Sequence, residues 1–169
     1  MNHKPYVRPL TYHEWQIYKD LRLRALTDSP DAFSRTFAEE QSRSDEDWMK
    51  RLEKGATSGW DLPLLAEVNG EPIGLAWGHI ETTIPDIAYL FQVWVASNYR
   101  RLGVGQLLLD TVVAWAKAKN AKCLELGVMC ADSPAMRLYV RAGFKPTGKV
   151  EALRPGSELL CQNMRLDLG

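Results

Sequence analysis

At its centre the chain reads Arg100-Arg101-Leu102-Gly103-Val104-Gly105, a short segment that combines two glycines with two arginines. Residues 88–95 before it are rich in aromatic and β-branched side chains, which predicts a strand. After it, apolar residues recur at helical spacing to about Lys119, which predicts a long amphipathic helix. A turn between strand and helix directs unpaired backbone N–H groups and the positive end of the helix dipole at one point. The segment therefore predicts an anion site.

Comparison with known phosphate-binding patterns shows which kind of anion site this segment resembles. A dinucleotide fingerprint needs a third glycine near Leu108, and a Walker loop needs Lys-Ser or Lys-Thr where Gln106-Leu107 stand, so neither pattern fits. Residues 95–105 instead resemble the acyl-CoA loop of the GCN5-related N-acetyltransferases (the GNAT family), whose pattern is Arg/Gln-x-x-Gly-x-Gly/Ala. Three residues match that pattern directly: Arg100, Gly103 and Gly105.

A second motif lies in residues 132–144, which predict one short helix. Pro134 suits the first helical position, Asp132 or Ser133 can cap the helix, and Gly143 can adopt the left-handed conformation just past the helix end. Ala135 and Tyr139 are four residues apart and share a face of this helix. Taken alone, a tyrosine at this spacing is more often a core aromatic. Ala-x-x-x-Tyr followed by Gly-Phe also resembles the second acetyl-CoA motif of the GNAT family, and the two motifs in this order identify the chain as a member.

The resemblance implies a donor site for acetyl-CoA. In that fold, the strand at 88–95 and the strand at 122–130 splay apart, and the pantetheine arm pairs with free main-chain groups of the first strand. Asp132 departs from the family, which often has asparagine there, because a carboxylate accepts hydrogen bonds but cannot donate them. The implied donor-binding residues are Val93, Trp94, Val95, Arg100, Arg101, Leu102, Gly103, Val104, Gly105, Asp132 and Tyr139.

Acyl transfer needs a neutral amine, a polarised carbonyl and a protonated leaving sulfur. The resemblance makes Tyr139 the catalytic acid, since a phenol with a pKa of ~10 is protonated at pH 7. A backbone N–H near Val93 or Trp94 is the candidate for stabilising the oxyanion. Many relatives place a carboxylate on the motif strand, whereas this chain has no acid there. Three residues nearby in sequence are candidate bases, or alternatively solvated or structural residues: His79, Glu81 and Asp86.

Composition limits the class of protein. With 169 residues, 46% of them hydrophobic, the chain predicts a single domain over residues 5–168. Lys plus Arg equals Asp plus Glu at 21 each, so no overall field favours nucleic acid or an acidic membrane. Three cysteines without Cys-x-x-Cys spacing favour reduced cytoplasmic thiols over a disulfide framework or a metal site. Residues 1–5 begin no apolar signal region, and a homodimer is compatible with this interpretation.

Local signals predict the remaining elements. A capping box at Thr11 and Glu14 opens a first helix that Ser29-Pro30 ends, and Ser44 opens a second helix that runs to Lys54 and closes at Gly55. Asn69-Gly70 predicts a hairpin between strands 64–68 and 72–77. The tail alternates as a half-buried strand with Met164 on its inner face, after a turn at 154–157. The sum is a three-layer α/β domain, a mixed sheet flanked by helices, with the acyl-CoA N-acyltransferase (GNAT) fold.

Three functions follow from these observations. The first is an N-acetyltransferase that moves an acetyl group from acetyl-CoA to a primary amine of a small molecule. The second is a non-catalytic acyl-CoA binding or sensing module, which the missing strand carboxylate favours. The third is a nucleotide-binding protein that uses the Gly103 loop. Variable loops at 32–43 and 82–86 are expected to choose the acceptor, and Trp60, Trp77 and Trp94 either line an aromatic acceptor pocket or belong to the core.

Overall fold

A computed structural model describes residues 4–169, so the expectation for the first residues of the chain lies in part outside the described range. The elements are β1 Tyr6–Pro9, α1 Trp15–Asp28, α2 Phe37–Gln41, α3 Asp45–Thr57, β2 Asp61–Val68, β3 Glu71–Ile80, β4 Ile87–Val95, α4 Val104–Ala118, β5 Cys123–Met129, α5 Pro134–Ala142, β6 Lys145–Ala152 and β7 Leu160–Asp167. Short 3₁₀ turns lie at Tyr12–Glu14, Pro30–Ala32 and Ser97–Tyr99.

The described strands form one sheet of seven, in the order β1-β2-β3-β4-β5-β7-β6. Only β4 and β5 pair in parallel, and α4 connects them. Trp77 on β3 contacts Gly55 of α3, whereas the next residue, Gly78, lies against Val112 and Trp115 of α4. Because successive strand residues point to opposite faces, α3 and α4 cover opposite faces of the sheet. The predicted three-layer mixed architecture is confirmed.

Several short-range predictions are also confirmed. Asn69 and Gly70 both have positive φ, at 52° and 79°, as the predicted hairpin turn requires. The capping box at Thr11 and Glu14 is present, although one 3₁₀ turn precedes α1. Ser44 caps α3 by accepting a hydrogen bond from the backbone N–H of Asp47. These features depend on residues adjacent in the chain.

Longer-range packing overrides the sequence pattern at other places. The second predicted helix, α3, does not close at Gly55 but continues to Thr57. Gly55 is a packing glycine, because a Cβ there would collide with the indole ring of Trp77. Strand β6 was not predicted, since it contains Pro146 and a Gly148 at φ 89°, and its register with β7 is interrupted at this point. The five-residue helix α2 is too short to give a periodic signal.

In the middle of the sheet, β4 and β5 separate along part of their length and leave a gap in which a ligand could bind. Strands β4 and β5 pair only where Ile87–Tyr89 lies beside Cys123–Glu125, and beyond Tyr89 the two strands separate. The predicted splay is therefore confirmed. On its other side, the register of β4 with β3 shifts opposite Gln92, whose φ is 61°. This β-bulge bends β4 beside the opening, next to Val93.

No helix within residues 4–169 combines the length and hydropathy needed to cross a membrane. Across the same range, no group of three or more histidine, cysteine, aspartate or glutamate side chains is arranged to hold a metal ion. The three cysteines, Cys123, Cys130 and Cys161, are free thiols, and Cys123 is buried.

Candidate active site

A cleft of about 1580 Å³ lies where β4 and β5 separate. Its wall is formed by the second half of β4, the facing part of β5, the first turn of α4, helix α5, and the segment that follows α1. Pockets for a single small ligand commonly hold roughly 300–1,000 Å³. The cleft is therefore large enough for two substrates that must meet.

The first turn of α4 forms one end of this wall. Gly103 is the N-cap residue at φ 79° and no side chain caps the helix, while Arg101 also has a positive φ of 69°. The first N–H groups of a helix lack acceptors within the helix, so the groups at 104–106 are available to a ligand. A Cβ at Gly103 would meet no atom within 4 Å, which leaves the backbone open to close approach. This geometry suits the phosphates of a bound anion.

Arg100 is held by an ion pair that its sequence context did not indicate. Its Nη2 lies 2.6 Å from Oδ2 of Asp28, the last residue of α1, and its Nε donates to the carbonyl of Val95 at 2.9 Å. Trp94 Nε1 also donates to Asp28, at 3.0 Å. The hydrogen bond from Trp94, with those from Ser29 and Arg100, lowers the pKa of Asp28. Arg100 therefore ties the loop to α1 and β4.

Most of the predicted donor residues meet in the cleft, and two do not. Nine line its wall: Val93, Trp94, Val95, Arg100, Arg101, Gly103, Val104, Gly105 and Tyr139. Leu102 is 53% exposed, and its side chain lies outside the wall. Asp132 is exposed, pairs with Arg137 at 3.0 Å and is not among the residues that line the cleft. The predicted donor contacts through Leu102 and Asp132 side chains have no support in this geometry.

Tyr139 lies in the wall on α5. Ser133 caps this helix by accepting from the N–H of Met136 at 3.1 Å, and Gly143 ends it at φ 103°, as the sequence predicted. The ring of Tyr139 packs edge-on against Phe144 with centroids 5.6 Å apart. Burial raises the pKa of the Tyr139 phenol, so the hydroxyl keeps its proton at neutral pH. Tyr139 is thus both a core aromatic and a protonated hydroxyl beside the cleft.

The bulge of β4 is braced from the opposite side of the site. Tyr18 on α1 donates its hydroxyl to Oε1 of Gln92 at 2.9 Å. Gln92 and the next residue, Val93, both line the cleft. A bulge redirects backbone groups out of the ladder, which here places them beside the opening. The sequence gives one signal for the role of Gln92 at the bulge, namely that it is a polar residue within an otherwise apolar run.

The candidate bases lie outside the cleft. His79 Nδ1 is 2.8 Å from Oδ1 of Asp61, and neither His79, Glu81 nor Asp86 lines the wall. These residues surround the turn where β4 begins, whereas the cleft opens toward the end of β4. The geometry therefore gives no support to direct action of any of the three as a base within the cleft. Trp60 and Trp77 also lie outside the wall, and only Trp94 of the three tryptophans lines it.

A buried guanidinium in the wall was missed by the sequence interpretation. Arg22 on α1 is 3% exposed, and its Nε and Nη1 have no hydrogen-bond partner within the described part of the chain. Its guanidinium lies over the ring of Phe33 at 4.8 Å. The available signal was a charged residue four positions after Tyr18, on the apolar stripe of α1.

Comparisons with known proteins agree with this geometry. A model of the acetyltransferase (GNAT) family matches residues 17–144. A protein of Sulfurisphaera tokodaii named N-alpha-acetyltransferase is 34% identical over 100 residues, a match that covers 53% of this chain and 58% of that protein. This chain spans about half the length of the named relatives that it matches.

Solved structures resemble the whole chain. An acetyltransferase of the GNAT family from Streptococcus pneumoniae has a TM-score of 0.82 at 23% identity, covering 98% of this chain and 100% of that one. A Salmonella typhimurium acetyltransferase, solved with its cofactor acetyl-CoA, has a TM-score of 0.81 at 16% identity, covering 98% of this chain and 95% of that one. At these identities, both likenesses show the fold alone.

Proposed function

The chain belongs to the acetyltransferase (GNAT) family, and from that premise we propose that it transfers the acetyl group of acetyl-CoA to a primary amine of a small molecule. One catalytic domain over residues 5–168 would carry this activity, in the cytoplasm, where its three thiols stay reduced. The observation that supports the proposal most is the continuous cleft that is lined both by the open helix N-terminus at Gly103 and by the buried ring of Tyr139.

The donor would lie along the open half of β4. Its pyrophosphate would accept hydrogen bonds from the N–H groups at 104–106, where the helix dipole favours negative charge. Arg101 lines the cleft, and no ion pair neutralises it among the described residues, so its charge is available to the same phosphates. The amide-rich pantetheine arm would pair with main-chain groups at Val93 and Val95, beyond the point where β5 leaves β4.

The chemistry would centre on the bulge and on Tyr139. The amine nitrogen attacks the thioester carbon while a backbone N–H at the bulge stabilises the developing oxyanion. The carbon–sulfur bond breaks, the sulfur takes the Tyr139 proton, and the proton released from the amine returns to the phenolate through solvent. Because burial raises the pKa of Tyr139, its hydroxyl stays protonated over the physiological range and holds the proton that the sulfur takes.

The incoming amine must lose its ammonium proton first. Arginines outnumber carboxylates along the cleft wall, and this excess positive charge disfavours the ammonium form. Asp28 is a weak base, since hydrogen bonds from Trp94, Ser29 and Arg100 lower its pKa. The positively charged wall, rather than a dedicated carboxylate, would therefore favour the neutral amine. The ammonium proton would pass to water before the attack on the thioester.

A second candidate is a non-catalytic acyl-CoA binding module. The position of His79, Glu81 and Asp86 outside the cleft favours it, because these were the candidate bases. An assay of thiol release from acetyl-CoA across a panel of primary amines, paired with calorimetric titration of CoA, separates the two functions. The transferase predicts amine-dependent thiol release. Tight CoA binding without thiol release on any amine supports the binding module, and ATP or NAD binding tighter than CoA would overturn both.

A further inference from the structure

Arg22 presents a buried positive charge, two of whose nitrogens have no hydrogen-bond partner among the described residues. Only 3% of the residue is exposed, yet it lines the cleft wall. Its Nε and Nη1 are fully enclosed without a hydrogen-bond partner in residues 4–169. An unpaired buried charge is costly, so such groups are normally matched by an opposite charge. The matching group is therefore expected from a ligand.

The neighbouring side chains supply that match only in part, because the charge of Glu40 acts on Arg22 without a hydrogen bond to Nε or Nη1. The ring of Phe33 lies under the guanidinium at 4.8 Å, which favours a cation but leaves its N–H groups free. Glu40 is a buried carboxylate in the same wall, but its Oε2 accepts from Arg43 Nε at 2.9 Å and from Arg51 Nη1 at 3.2 Å. Two guanidiniums thus share Glu40, and Arg22 adds a further positive charge beside them.

Arg22 also lies at a useful place relative to the chemistry. It follows Tyr18 by four residues, so both side chains occupy one face of α1, about one helical turn of 5.4 Å apart. Tyr18 contacts Gln92 at the bulge of β4, where the proposed reaction occurs. Arg22 lines the same cleft as Gln92 and Val93, and six residues, about 9 Å of helix, separate it from Asp28, which pairs with Arg100 just before the Gly103 loop.

We propose that the acceptor is a small amino carboxylate, whose carboxylate binds Arg22 while its amine faces the thioester. This inference rests on the proposed function and names its substrate class. An arginine fork matches the two oxygens of a carboxylate and gives charge-assisted hydrogen bonds. Polyamines and other purely cationic acceptors are disfavoured, since they would add positive charge to a wall in which arginines, Arg22 and Arg51 among them, outnumber carboxylates.

Matched acceptors test this inference without any mutation. Thiol release is measured for the free L-amino acids and for the corresponding amino-acid amides, which keep the side chain and the amine but lack the charge. We expect at least one free acid to exceed its amide by roughly tenfold or more in kcat/KM. The α-amine of an amino-acid amide is less basic than that of the free amino acid, so a larger fraction of it is neutral and reactive. Intrinsic reactivity therefore favours the amide, and a preference for the free acid indicates that the enzyme recognises the carboxylate.

Substitution of Arg22 assigns the preference to this residue. Arg22→Met keeps an unbranched apolar stem, and we expect it to raise KM for the preferred acid by roughly tenfold or more beyond any change in KM for the matching amide. Arg22→Lys keeps the charge without the fork and should give an intermediate KM. If Arg22→Met does not fold, the comparison of acid with amide in the unaltered protein still decides.

The outcomes also separate this inference from the proposed function. Turnover of amides or polyamines equal to or faster than that of every amino acid would overturn the carboxylate assignment and leave the transferase intact. Equal loss of acid and amide turnover in Arg22→Met would make Arg22 structural and would overturn it as well. Absence of thiol release with every amine would contradict the proposed function, and with it this inference.

Discussion

The hydroxyl of Tyr18 donates a 2.9 Å hydrogen bond to Oε1 of Gln92 and so joins α1 to the bulge of β4. Gln92 has a φ of 61°, a conformation that its own side chain does not favour. Tyr18 is fully buried and packs against Trp48 and Trp77, with centroids 5.6 and 5.4 Å away. A rigid aromatic cluster therefore fixes the bulge beside the cleft.

Tyr18→Phe should loosen the bulge while the ring cluster is kept. Gln92 would lose a partner, at a cost of about 1 kcal/mol, and we expect kcat to fall by up to about tenfold with little change in the affinity for acetyl-CoA. Thiol release and calorimetry measure the two quantities. Tyr12→Phe, at an exposed ring, is the matched control. An unchanged kcat in Tyr18→Phe would show that the bond serves stability only.

Gly103 allows a test of the anion site by charge alone. Asp and Asn both tolerate the left-handed φ that this position requires, and no atom lies within 4 Å of the added Cβ. Gly103→Asp should weaken acetyl-CoA binding by roughly tenfold or more relative to Gly103→Asn, because only the carboxylate repels the pyrophosphate. Calorimetric dissociation constants decide the matter. Equal affinities in the two variants would place the phosphates elsewhere.

Glu14 should carry a measurable part of the stability against acid. Arg8 binds it through Nη1 and Nη2 at 2.8 and 2.7 Å and lowers its pKa from 4.5 to about 2. Since the folded pKa is the lower one, this stability is present above pH ~4.5 and is lost as the pH falls toward 2. Glu14→Gln should lower the free energy of unfolding by about 2 kcal/mol at pH 7, with a smaller difference at pH 3.

Urea unfolding at pH 7, 5, 4 and 3 measures that difference. Glu46→Gln is the control, because Glu46 is exposed and its ion pair is with Lys50, one turn along the same helix. A Glu14→Gln deficit that stays constant across these pH values would mean that the ionised pair does not stabilise the fold.

Gly55→Ala should destabilise the protein, although alanine favours a helix by about 1 kcal/mol. The new Cβ would collide with the indole of Trp77, and overpacking of a rigid ring commonly costs about 1–3 kcal/mol. The midpoint of thermal unfolding measures the net effect, with Lys54→Ala on the exposed side of α3 as control. A higher midpoint for Gly55→Ala would show that Trp77 moves aside for the added methyl group at little cost.

The sequence predicted those parts of the site that depend on neighbours in the chain. The turn at Gly103, the cap at Ser133 and the left-handed Gly143 each follow from a few adjacent residues. The pair of Asp28 with Arg100 joins residues 72 positions apart, and no local pattern encodes it. The resemblance implies a donor contact for Asp132, whereas in the structure its carboxylate pairs with Arg137 at 3.0 Å.

The role of Arg22 also depends on residues that are distant in the chain, so it could not be predicted from local sequence. A charged residue on the apolar stripe of α1 was visible in the sequence, but its meaning depends on whether tertiary neighbours pair with it. In the structure Glu40 is shared by Arg43 and Arg51, so two nitrogens of Arg22 are left without a partner in the described chain. The inference about the acceptor could therefore come only from the folded arrangement.

Turnover by Tyr139→Phe tests the proposed chemistry most directly. The phenylalanine keeps the ring that packs against Phe144, so the thermal transition and the affinity for acetyl-CoA should be close to those of the unaltered protein. If the phenol protonates the departing thiolate, kcat should fall by about 10²-fold or more, and a donor with a more acidic thiol should be affected less. Unchanged kcat with an intact thermal transition would contradict the assignment and would leave Tyr139 as a core aromatic beside the cleft.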